Sequence, residues 1–240
     1  VPRIDYTGGG CPHILAEPQR TNVITYSEDF SDASWLKGNS SISSNQITSP
    51  DGTLNADKLI ESSASSFHEL RMAGISQTSG LDYTVSAFVK YNGRDVQFIS
   101  YNGSANVVSS FDLSLGTVLS GVGNIESFGG GWYRISQSYT ATSTITNNFA
   151  YGVYPSIGTN ANYQGDGTSG ICIYGAQLEV GSYATSYIPT SGSAVTRNQD
   201  IFTRDGIGSL INSTEGVLFL EIAALANDGT SRQLSLNDGS

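Results

Sequence analysis

Residues 171–180 read Ile-Cys-Ile-Tyr-Gly-Ala-Gln-Leu-Glu-Val, and this stretch decides the fold class. It is a short, largely apolar run with β-branched and aromatic members, and turn-forming residues flank it, with Gly165-Asp166-Gly167 before it and Gly181-Ser182 after it. A run of this length and composition between turns is typical of a buried β-strand. We therefore predict that residues 171–180 form a core strand.

Further segments of the same kind recur at short spacing along the chain, separated by Gly, Ser and Asn turns. No segment has the 3.6-residue apolar period of a helix, so the pattern predicts an all-β chain folded as an antiparallel β-sandwich. The other predicted strands are 22–26, 55–61, 67–72, 82–91, 95–101, 107–113, 132–141 and 148–154.

Alternation within these strands predicts how each face of a sheet is used. In 82–90, Tyr83, Val85, Ala87 and Val89 point to one side, and more polar residues, with Phe88, point to the other. Such a strand packs one face on the core and leaves the other exposed. We expect the exposed face of one sheet to be available as a ligand groove.

Composition excludes several classes of function. Charged residues make up only 13% of the chain, while 13 Tyr, 9 Phe and 2 Trp indicate a folded, aromatic-rich protein. The net charge of −10 argues against nucleic acid, which needs clustered Lys and Arg, and against anionic membrane surfaces. No apolar run is long enough to span a bilayer. A neutral glycan remains compatible with this composition.

Domain boundaries follow from where the strand pattern starts and weakens. We predict an N-terminal connector at 1–21, a β-sandwich domain at 22–190 and a linker at 191–205. The strand-like tail at 206–240 is too short for an independent β domain, so it is either the start of a truncated second domain or a segment completed by another part of the molecule. The two cysteines, Cys11 and Cys172, either pair as a disulfide or stay as buried thiols.

Three segments resemble a module that recurs in tailed-phage and prophage structural proteins. They are PRIDYTGGGCPHILAEPQRTN (2–22), TYSEDFSDASW (25–35) and GDGTSGICIYGAQLEVGSYATSYIPTSG (165–192). This module is similar to the jelly-roll carbohydrate-binding modules attached to polysaccharide-degrading enzymes. The tail at 202–240 resembles the opening strands of the concanavalin A-like, laminin-G-like domain that often follows it.

The resemblance implies a jelly roll that acts as a non-catalytic carbohydrate-binding module of a phage tail or fibre. The expected partners are a polysaccharide or cell-surface glycan and other virion subunits, with a homo-oligomer as one arrangement, and the expected location is the virion or extracellular space. Related modules often hold a structural calcium through an acid on the last strand. Here small neutral residues occupy that stretch, so Glu28, Asp29 and Glu179 are the remaining candidates for a calcium site.

Trp132 and Arg134 are the first candidates for sugar binding because alternation places them on one face of their strand. An indole ring can stack on a pyranose, and a guanidinium can donate to hydroxyls. The alternative is a strand-end Trp that covers the edge of the core. Both interpretations stay open for Trp132.

Other aromatic candidates lie at strand ends or in loops. Tyr101 and Tyr154 could stack on a ligand or pack the rim of the sandwich. Trp35 follows the acidic pair Glu28–Asp29 and could be a sugar platform or a plug at one end of the sandwich. His68 and Arg71 should not share a face, and we expect them at a solvated edge.

Catalysis has little support in the residues. No nucleophile elbow, HExxH motif or phosphate-binding glycine loop occurs, and we assign no catalytic residue. Two alternatives to the binding module remain: a purely structural or assembly module of a virion, and an accessory domain of a polysaccharide lyase or hydrolase. Exposed aromatic rings in a groove favour binding, and a broad apolar patch favours assembly.

Overall fold

Regular structure is entirely β in the computed structural model, which describes residues 3–5, 13–72, 74–148, 151–201 and 215. Within these ranges no helix is present that could cross a membrane. The strands follow in chain order as β1 (Arg3–Asp5), β2 (His13–Leu15), β3 (Arg20–Asn22), β4 (Trp35–Gly38), β5 (Ser40–Thr48), β6 (Leu54–Glu61), β7 (Ser65–Phe67), β8 (Glu69–Met72), β9 (Ile75–Gln77), β10 (Asp82–Asn92), β11 (Asp95–Tyr101), β12 (Asn106–Asp112), β13 (Thr117–Ser120), β14 (Asn124–Gly129), β15 (Trp132–Thr140), β16 (Ile145–Asn148), β17 (Tyr151–Ser156), β18 (Asn162–Gln164), β19 (Gly170–Val180) and β20 (Val195–Arg197).

The chain divides into two units, one of residues 1–19 with 198–240 and the other of residues 20–197. In the first unit, β1 pairs with β2, and the Glu17 amide donates to Asp200 Oδ2 at 2.8 Å. The second unit contains the whole range predicted for the sandwich domain, 22–190. The predicted second domain at 206–240 lies outside the described residues, apart from Glu215.

Two six-stranded antiparallel sheets make up most of the second unit. The first sheet has the order β14-β15-β10-β19-β6-β5, and the second has the order β13-β12-β11-β17-β8-β4. Short two-stranded ladders complete the unit, including one in which β3, where the chain enters, pairs with β20, where it leaves.

Nested strand pairing identifies the sandwich as a jelly roll. Among the eight central strands, the first pairs with the last (β6 with β19), the second with the seventh (β8 with β17), the third with the sixth (β10 with β15) and the fourth with the fifth (β11 with β12). A long antiparallel ribbon folded over into two sheets produces this nesting. The predicted all-β antiparallel sandwich, including its jelly-roll form, is confirmed.

The main core lies between the two sheets. From the first sheet, Val85, Ala87 and Val89 of β10 point inward with no exposed surface, as the alternation predicted. From the second sheet, Phe98 packs edge-on against Tyr151, and Tyr151 packs edge-on against Trp35. Burial of these side chains, at about 25 cal/mol per Å² of apolar surface, stabilises the sandwich.

The outer face of the first sheet is also buried, and this corrects the expectation of an exposed groove there. Thr84, Ser86 and Phe88, the supposedly exposed side of β10, are 1%, 1% and 5% exposed. A second apolar cluster forms on this side from Ala56, Phe88, Trp132, Cys172 and Tyr174, with Ile47 and Tyr187 packed on it. We call this surface the closed face, because the chain's own residues fill it.

A bulge in β19 helps to form the closed face. The pairing of β10 with β19 shifts register between Ser86 and Phe88, opposite Gly175, whose φ of 63° is in the left-handed region. Glycine adopts this conformation without the steric penalty that other residues carry. A Cβ at Gly175 would lie 2.9 Å from Cδ2 of Phe88, so the glycine also lets that ring pack down on the strand.

Several strands depart from the sequence prediction. The predicted strand 22–26 is regular only up to Asn22, and the predicted strand 67–72 splits into β7 and β8. The long strand β5 (Ser40–Thr48) was not predicted, because its serines and asparagine lack apolar alternation. It lies at the edge of the first sheet, where one side of the strand needs no partner.

Candidate functional site

Trp132 lies in the closed face with 4% of its surface exposed. Its Nε1 donates a hydrogen bond to the backbone carbonyl of Thr48 at 3.1 Å, and the ring belongs to the cluster around Phe88 and Tyr174. A ring packed on both sides offers no face to a sugar. Trp132 therefore covers the edge of the core, which was the second of its two predicted roles, and does not form a stacking platform for a sugar.

Arg134 lies on the same face as Trp132, as predicted, but its guanidinium is used within the chain. Nη2 donates to the backbone carbonyl of Thr185 at 2.6 Å and to Ser86 Oγ at 3.2 Å, and the group lies 5.4 Å from the centre of the Phe88 ring. Arg134 thus ties the segment after β19 onto the closed face, and these donors are already occupied.

Trp35 is in the main core, 1% exposed, and not in a solvated loop. Its Nε1 donates to the carbonyl of Tyr26 at 2.9 Å, and its ring packs against Phe30 and Tyr151 at centroid distances of 5.1 and 5.5 Å. A Trp buried between two other aromatic rings stabilises the sandwich and is not available as a sugar platform.

The outer face of the second sheet is more accessible, and we call it the open face. Cross-strand pairing aligns side chains across it in rows: Val108 pairs with Ile99, and Arg71 pairs with both Gly152 and Leu36. Leu36 and Val108, at the two ends of this row, are 42% and 37% exposed. The row therefore runs across five strands, which at about 4.8 Å per strand spacing gives a surface about 19 Å wide.

Tyr154 of the open face forms an aromatic pair with Phe67 of β7, a strand that lies outside the second sheet. Their rings meet edge to face with centroids 6.2 Å apart, and Phe67 is 45% exposed while Tyr154 is only 7% exposed. Tyr154 lies over Gly152, where an added Cβ would be 2.8 Å from Tyr154 Cε2. Burial raises the pKa of the Tyr154 hydroxyl, and so do the charge of Glu69 and a hydrogen bond with it. The ring accessible to a ligand is that of Phe67.

A charged pair stands next to these rings. Arg71 Nη2 lies 2.8 Å from Glu69 Oε1, and the two side chains are 30% and 18% exposed. They are two residues apart on β8, so alternation puts both on the same face. Glu69 also passes over Gly38, where an added Cβ would lie 2.5 Å from Oε1. The pair offers hydrogen-bond donors and acceptors with no net charge.

Tyr101 is the last residue of β11. Phe98 and Ser100 of this strand are fully buried and point inward, so alternation directs Tyr101 outward, onto the open face. It pairs across the ladder with Asn106, at the end of the sheet that carries the loop at 102–105. Of the predicted sugar-binding residues, the structure thus brings Tyr101 and Tyr154 onto one surface. It places Trp132, Arg134 and Trp35 elsewhere.

His68 and Arg71 are separated, as predicted, but not at a solvated edge. His68 is fully buried, with Nδ1 2.8 Å from the carbonyl oxygen of Asn39 and Nε2 3.3 Å from that of Tyr163. β8 is an interior strand between β17 and β4, which corrects the edge assignment. The isolated pattern of residues 67–72 could not reveal that β4 covers this side.

The three calcium candidates do not form one site. Glu179 is fully buried, and its carboxylate accepts hydrogen bonds from Gln177 Nε2, Thr185 N and Thr185 Oγ1 and lies 3.6 Å from Arg20 Nε. Glu28 Oε1 accepts from the Tyr187 hydroxyl at 3.0 Å and lies 3.1 Å from the Tyr174 hydroxyl oxygen. Within the described ranges no three His, Cys, Asp or Glu side chains are grouped to hold a metal ion. These residues therefore do not fit the expected calcium site.

Two cavities lie away from the open face. One of about 200 Å³ adjoins Glu28 and Asp29, and the other, of about 320 Å³, has no charged residue in its lining. The smaller is lined by Glu28, Asp29, Ser44, Asn45, Asn55 and Asp57, and the larger by Val23, Thr25, Ser34, Met72, Gly74, Ile75 and Ser76. Both carboxylate oxygens of Asp57 accept from backbone amides, those of Asn45 and Phe30, which is a structural use.

An ion-pair network around the buried Glu61 fastens the loop before β19. Arg94 donates through Nε and Nη2 to the two oxygens of Glu61 at 2.8 and 2.6 Å, and Nη2 also lies 3.2 Å from Asp166. Asp166 Oδ1 accepts from the amides of Thr168 and Ser169, as expected for a residue that forms a turn. All these groups are satisfied within the chain, so the network is structural.

Cys172 has a free thiol in the closed face, 6% exposed. Burial raises its pKa, and the nearby charges of Lys58 and Lys90 act in the opposite direction. Because the thiolate is the reactive form, this environment makes Cys172 a poor nucleophile. Of the two alternatives for the cysteines, the structure has Cys172 unpaired, and Cys11 lies outside the described residues.

Comparison with known proteins gives similarity of structure only. No protein-family profile matches the chain, and no curated protein matches it in sequence. The C-terminal CBM6 of LamC, a marine laminarinase from Zobellia galactanivorans, matches at 12% identity and a TM-score of 0.35, covering 68% of this chain and 98% of that one. The CBM22-1 xylan-binding domain of Paenibacillus barcinonensis Xyn10C matches at 7% identity and a TM-score of 0.38, covering 68% and 94%.

A phage protein is also among the similar structures. The enzymatically active domain of bacteriophage CBA120 tailspike protein 4 matches at 12% identity and a TM-score of 0.40. The match covers 66% of this chain but only 21% of the tailspike chain. All these likenesses are distant.

Several residues at the open face were not predicted from the sequence, among them Leu36, Phe67 and Glu69. Leu36 belongs to β4, which was not predicted, and Phe67 falls in a predicted strand that continues through His68. The alternation of Glu69 and Arg71 against His68 and Leu70 was a usable signal that Glu69 and Arg71 share a face. The sequence alone did not show which of the two faces is outward; the burial of His68 shows that Glu69 and Arg71 point outward.

Proposed function

We propose that this protein is a non-catalytic carbohydrate-binding module and that the open face holds the sugar. The observation that carries the proposal is the position of the exposed Phe67 ring beside the Arg71–Glu69 pair. Sugars present an apolar C–H face and hydroxyls that both donate and accept hydrogen bonds. An aromatic ring beside a paired donor and acceptor matches both properties.

The charge of the face favours a neutral glycan. Arg71 and Glu69 neutralise each other, and the chain as a whole carries −10, so a polyanionic chain would be repelled at long range. The surface is about 19 Å wide across its five strands, so it can accommodate several sugar units in an extended chain. We expect weak binding, in the micromolar to millimolar range, or about −4 to −8 kcal/mol.

The arrangement of the face suits binding rather than hydrolysis. Glycoside hydrolysis uses two carboxyl groups about 5–10 Å apart on either side of the scissile bond. Glu69, the carboxylate that β8 presents on the open face, is engaged by Arg71 and by the Tyr154 hydroxyl. A carboxylate held in this way positions hydroxyl groups and is poorly placed to act as a nucleophile.

We further propose that the module belongs to a phage tail or fibre protein, exposed on the virion. The support is the resemblance of the segments at 2–22, 25–35 and 165–192 to modules of tailed-phage structural proteins. In that setting the glycan is a host or environmental polysaccharide, and other virion subunits are partners. Mass spectrometry of purified virions from the source phage would test this part: the chain should be found in the particle, and its absence would reject the virion assignment.

Affinity electrophoresis of the whole chain through gels containing bacterial and algal polysaccharides tests the binding proposal. Phe67→Ala should weaken retardation at least tenfold on the polysaccharide that the wild type binds, because it removes the accessible ring. Phe128→Ala is the matched control, since Phe128 is also 45% exposed but packs against Phe88 on the closed face. Binding by this control should equal that of the wild type.

A second variant probes the hydrogen-bonding part of the face. Arg71→Lys keeps the charge but loses the planar fork of donors, so retardation should fall although the net charge is unchanged. If no polysaccharide in a broad panel retards the wild type, the binding proposal is rejected. If Phe128→Ala abolishes binding and Phe67→Ala does not, the sugar lies on the closed face instead.

A further inference from the structure

One row of side chains on the open face is largely aliphatic. It consists of Leu36, Arg71, Gly152, Ile99 and Val108, which lie side by side on five adjacent strands of the second sheet. A Cβ added at Gly152 would lie 3.0 Å from the carbonyl oxygen of Ile99 and 3.5 Å from Cγ of Arg71, so the row is continuous through its middle. We call these five residues the aliphatic row.

The apolar surface of the aliphatic row is accessible to a ligand. Leu36 and Val108, at its two ends, are 42% and 37% exposed, and Ile99 is partly exposed. The ring of Tyr154 fills the space above Gly152, where an added Cβ would lie 2.8 Å from its Cε2. A ligand on this row therefore meets a shallow apolar strip.

An aliphatic strip recognises a different part of a sugar than an aromatic ring does. An aromatic ring stacks its flat apolar face on the C–H face of a pyranose. Aliphatic side chains have no such flat face and gain free energy in proportion to the apolar surface that they bury. The hydroxyl groups of an unmodified hexose offer little apolar surface, whereas a methyl group offers more. The row therefore favours sugars whose substituents carry a methyl group.

Arg71 distinguishes among such substituents. It is the direct cross-strand partner of Leu36, which places the two Cβ atoms about 5 Å apart. The Arg71 side chain is 30% exposed, and a guanidinium donates hydrogen bonds but accepts none. An acetyl group combines a methyl group with a carbonyl oxygen that accepts hydrogen bonds, so it can contact both residues at once. A methyl group alone matches only Leu36.

Charge also favours an acetyl substituent. An acetyl ester or amide is neutral, so the net charge of −10 does not repel it, as it would repel a carboxylate or sulfate substituent. We propose that the open face selects neutral glycans that carry acetyl groups, with the methyl group on Leu36 and the carbonyl oxygen at Arg71. This inference rests on the proposed carbohydrate-binding function and adds the class of sugar to it.

Isothermal titration calorimetry of the whole chain with two matched pairs of neutral oligosaccharides tests the proposal. Chitohexaose and cellohexaose share their linkage and differ by an acetamido group in place of a hydroxyl, so this pair tests N-acetyl groups. O-acetylated xylo-oligosaccharides, before and after deacetylation in dilute base, test O-acetyl groups. The acetylated member of at least one pair should bind about tenfold more tightly, because it adds a buried methyl group and a hydrogen bond.

Replacing Leu36 tests where the acetyl group lies. Leu36→Ser should abolish the preference for the acetylated member, because it removes the apolar contact and leaves Arg71 in place. Leu81→Ser is the matched control: Leu81 is also 42% exposed but directly precedes β10 of the first sheet, so this variant should keep the preference. Circular dichroism should show that both variants fold, since both side chains are exposed.

Each other outcome is decisive. Equal binding of the two members in both pairs overturns the proposal and leaves the carbohydrate-binding function intact. A preference that survives Leu36→Ser, or that Leu81→Ser also abolishes, overturns it equally. If a polysaccharide retards the wild type while none of these oligosaccharides binds, selection for acetyl groups is rejected although binding stands. Absence of binding to every carbohydrate rejects the proposed function itself, and this inference with it.

Discussion

The indole Nε1 of Trp132 reaches the backbone carbonyl of Thr48 at 3.1 Å, although these residues belong to the second and the last strand of a six-stranded sheet. The end of β5 and the turn after it must therefore fold over the outer face of that sheet. The Tyr174 hydroxyl supports this arrangement by donating to Asp51 Oδ2 in the same turn at 2.9 Å. A second core thus forms on the closed face.

Replacing Trp132 tests whether this second core stabilises the fold. Trp132→Ala should lower the free energy of unfolding by about 3–5 kcal/mol, since it removes a buried ring and leaves a cavity. Urea denaturation followed by circular dichroism measures the change. Phe128→Ala, at the exposed rim of the same face, should cost much less. A Trp132→Ala protein with unchanged stability and lost glycan binding would restore Trp132 as a sugar platform.

The turn that covers Trp132 should weaken in acid. Burial acts to raise the pKa of Asp51, but hydrogen bonds from Ser49, Thr53 and Tyr174 outweigh it and hold the pKa well below the usual 3.8. The stability from this carboxylate is therefore complete above the unfolded-state pKa of 3.8 and is lost as the pH falls through the folded-state value.

Comparing Asp51→Asn with the wild type measures this effect. The variant should be less stable than the wild type at about pH 6, and the difference should shrink as the pH is lowered to about 2. Urea midpoints at several pH values give the comparison. A stability difference that stays constant over the whole range would mean that the carboxylate charge contributes nothing.

A side chain at Gly175 of β19 should destabilise the fold. Its φ of 63° and the 2.9 Å approach of an added Cβ to Phe88 Cδ2 each penalise Gly175→Ala, and the backbone strain alone costs about 1–3 kcal/mol. Gly80→Ala is the control, because its φ is 82° but nothing lies within 4 Å of the added Cβ. Thermal unfolding should show the larger loss for Gly175→Ala, and equal losses would remove the role of the Phe88 contact.

Removing only one partner of the Arg94–Glu61 ion pair should lower the stability of the fold more than replacing both partners. Glu61 has no exposed side-chain surface, so Arg94→Ala leaves a buried carboxylate without its countercharge, at a cost of about 3–5 kcal/mol. The Tyr163 hydroxyl and the Asp166 amide still donate to this carboxylate. The double variant Arg94→Met/Glu61→Met should be more stable than Arg94→Ala, because no buried charge is left. Chemical denaturation of both proteins decides the matter, and a double variant that is the less stable of the two contradicts the argument.

Sequence patterns predicted the strands that carry apolar alternation and failed where burial comes from distant residues. The inward face of β10 was predicted correctly because Val85 and Val89 alternate within the strand itself. Its outer face was predicted wrongly because the segments that cover it, around Thr48 and Thr185, follow no local pattern. Alternation is a property of one strand, whereas exposure depends on what the rest of the chain places above it.

The same limit explains what could be predicted of the candidate site. Tyr101 and Tyr154 were predicted as rim or ligand residues from their places at predicted strand ends. Tyr101 does end β11, whereas Tyr154 lies within β17 with 7% of its surface exposed. The Phe67–Tyr154 contact joins strands whose neighbourhood is set by the nesting of the jelly roll, so no local spacing encodes it. Strand order had to be known before the open face could be assembled.

The ladder between β3 and β20 has a mechanical consequence. Arg20 pairs with Arg197, Thr21 with Thr196 and Asn22 with Val195, so the chain enters and leaves this unit at adjacent ends of one antiparallel pair. A force pulling on both ends would open these rungs one at a time, as a zipper opens, rather than shear them together. The first resistance behind them is Asn22, whose side chain donates to the carbonyls of Ala176 and Ile188. Under tension the unit would therefore lengthen first at this short ladder, while its sandwich stays intact.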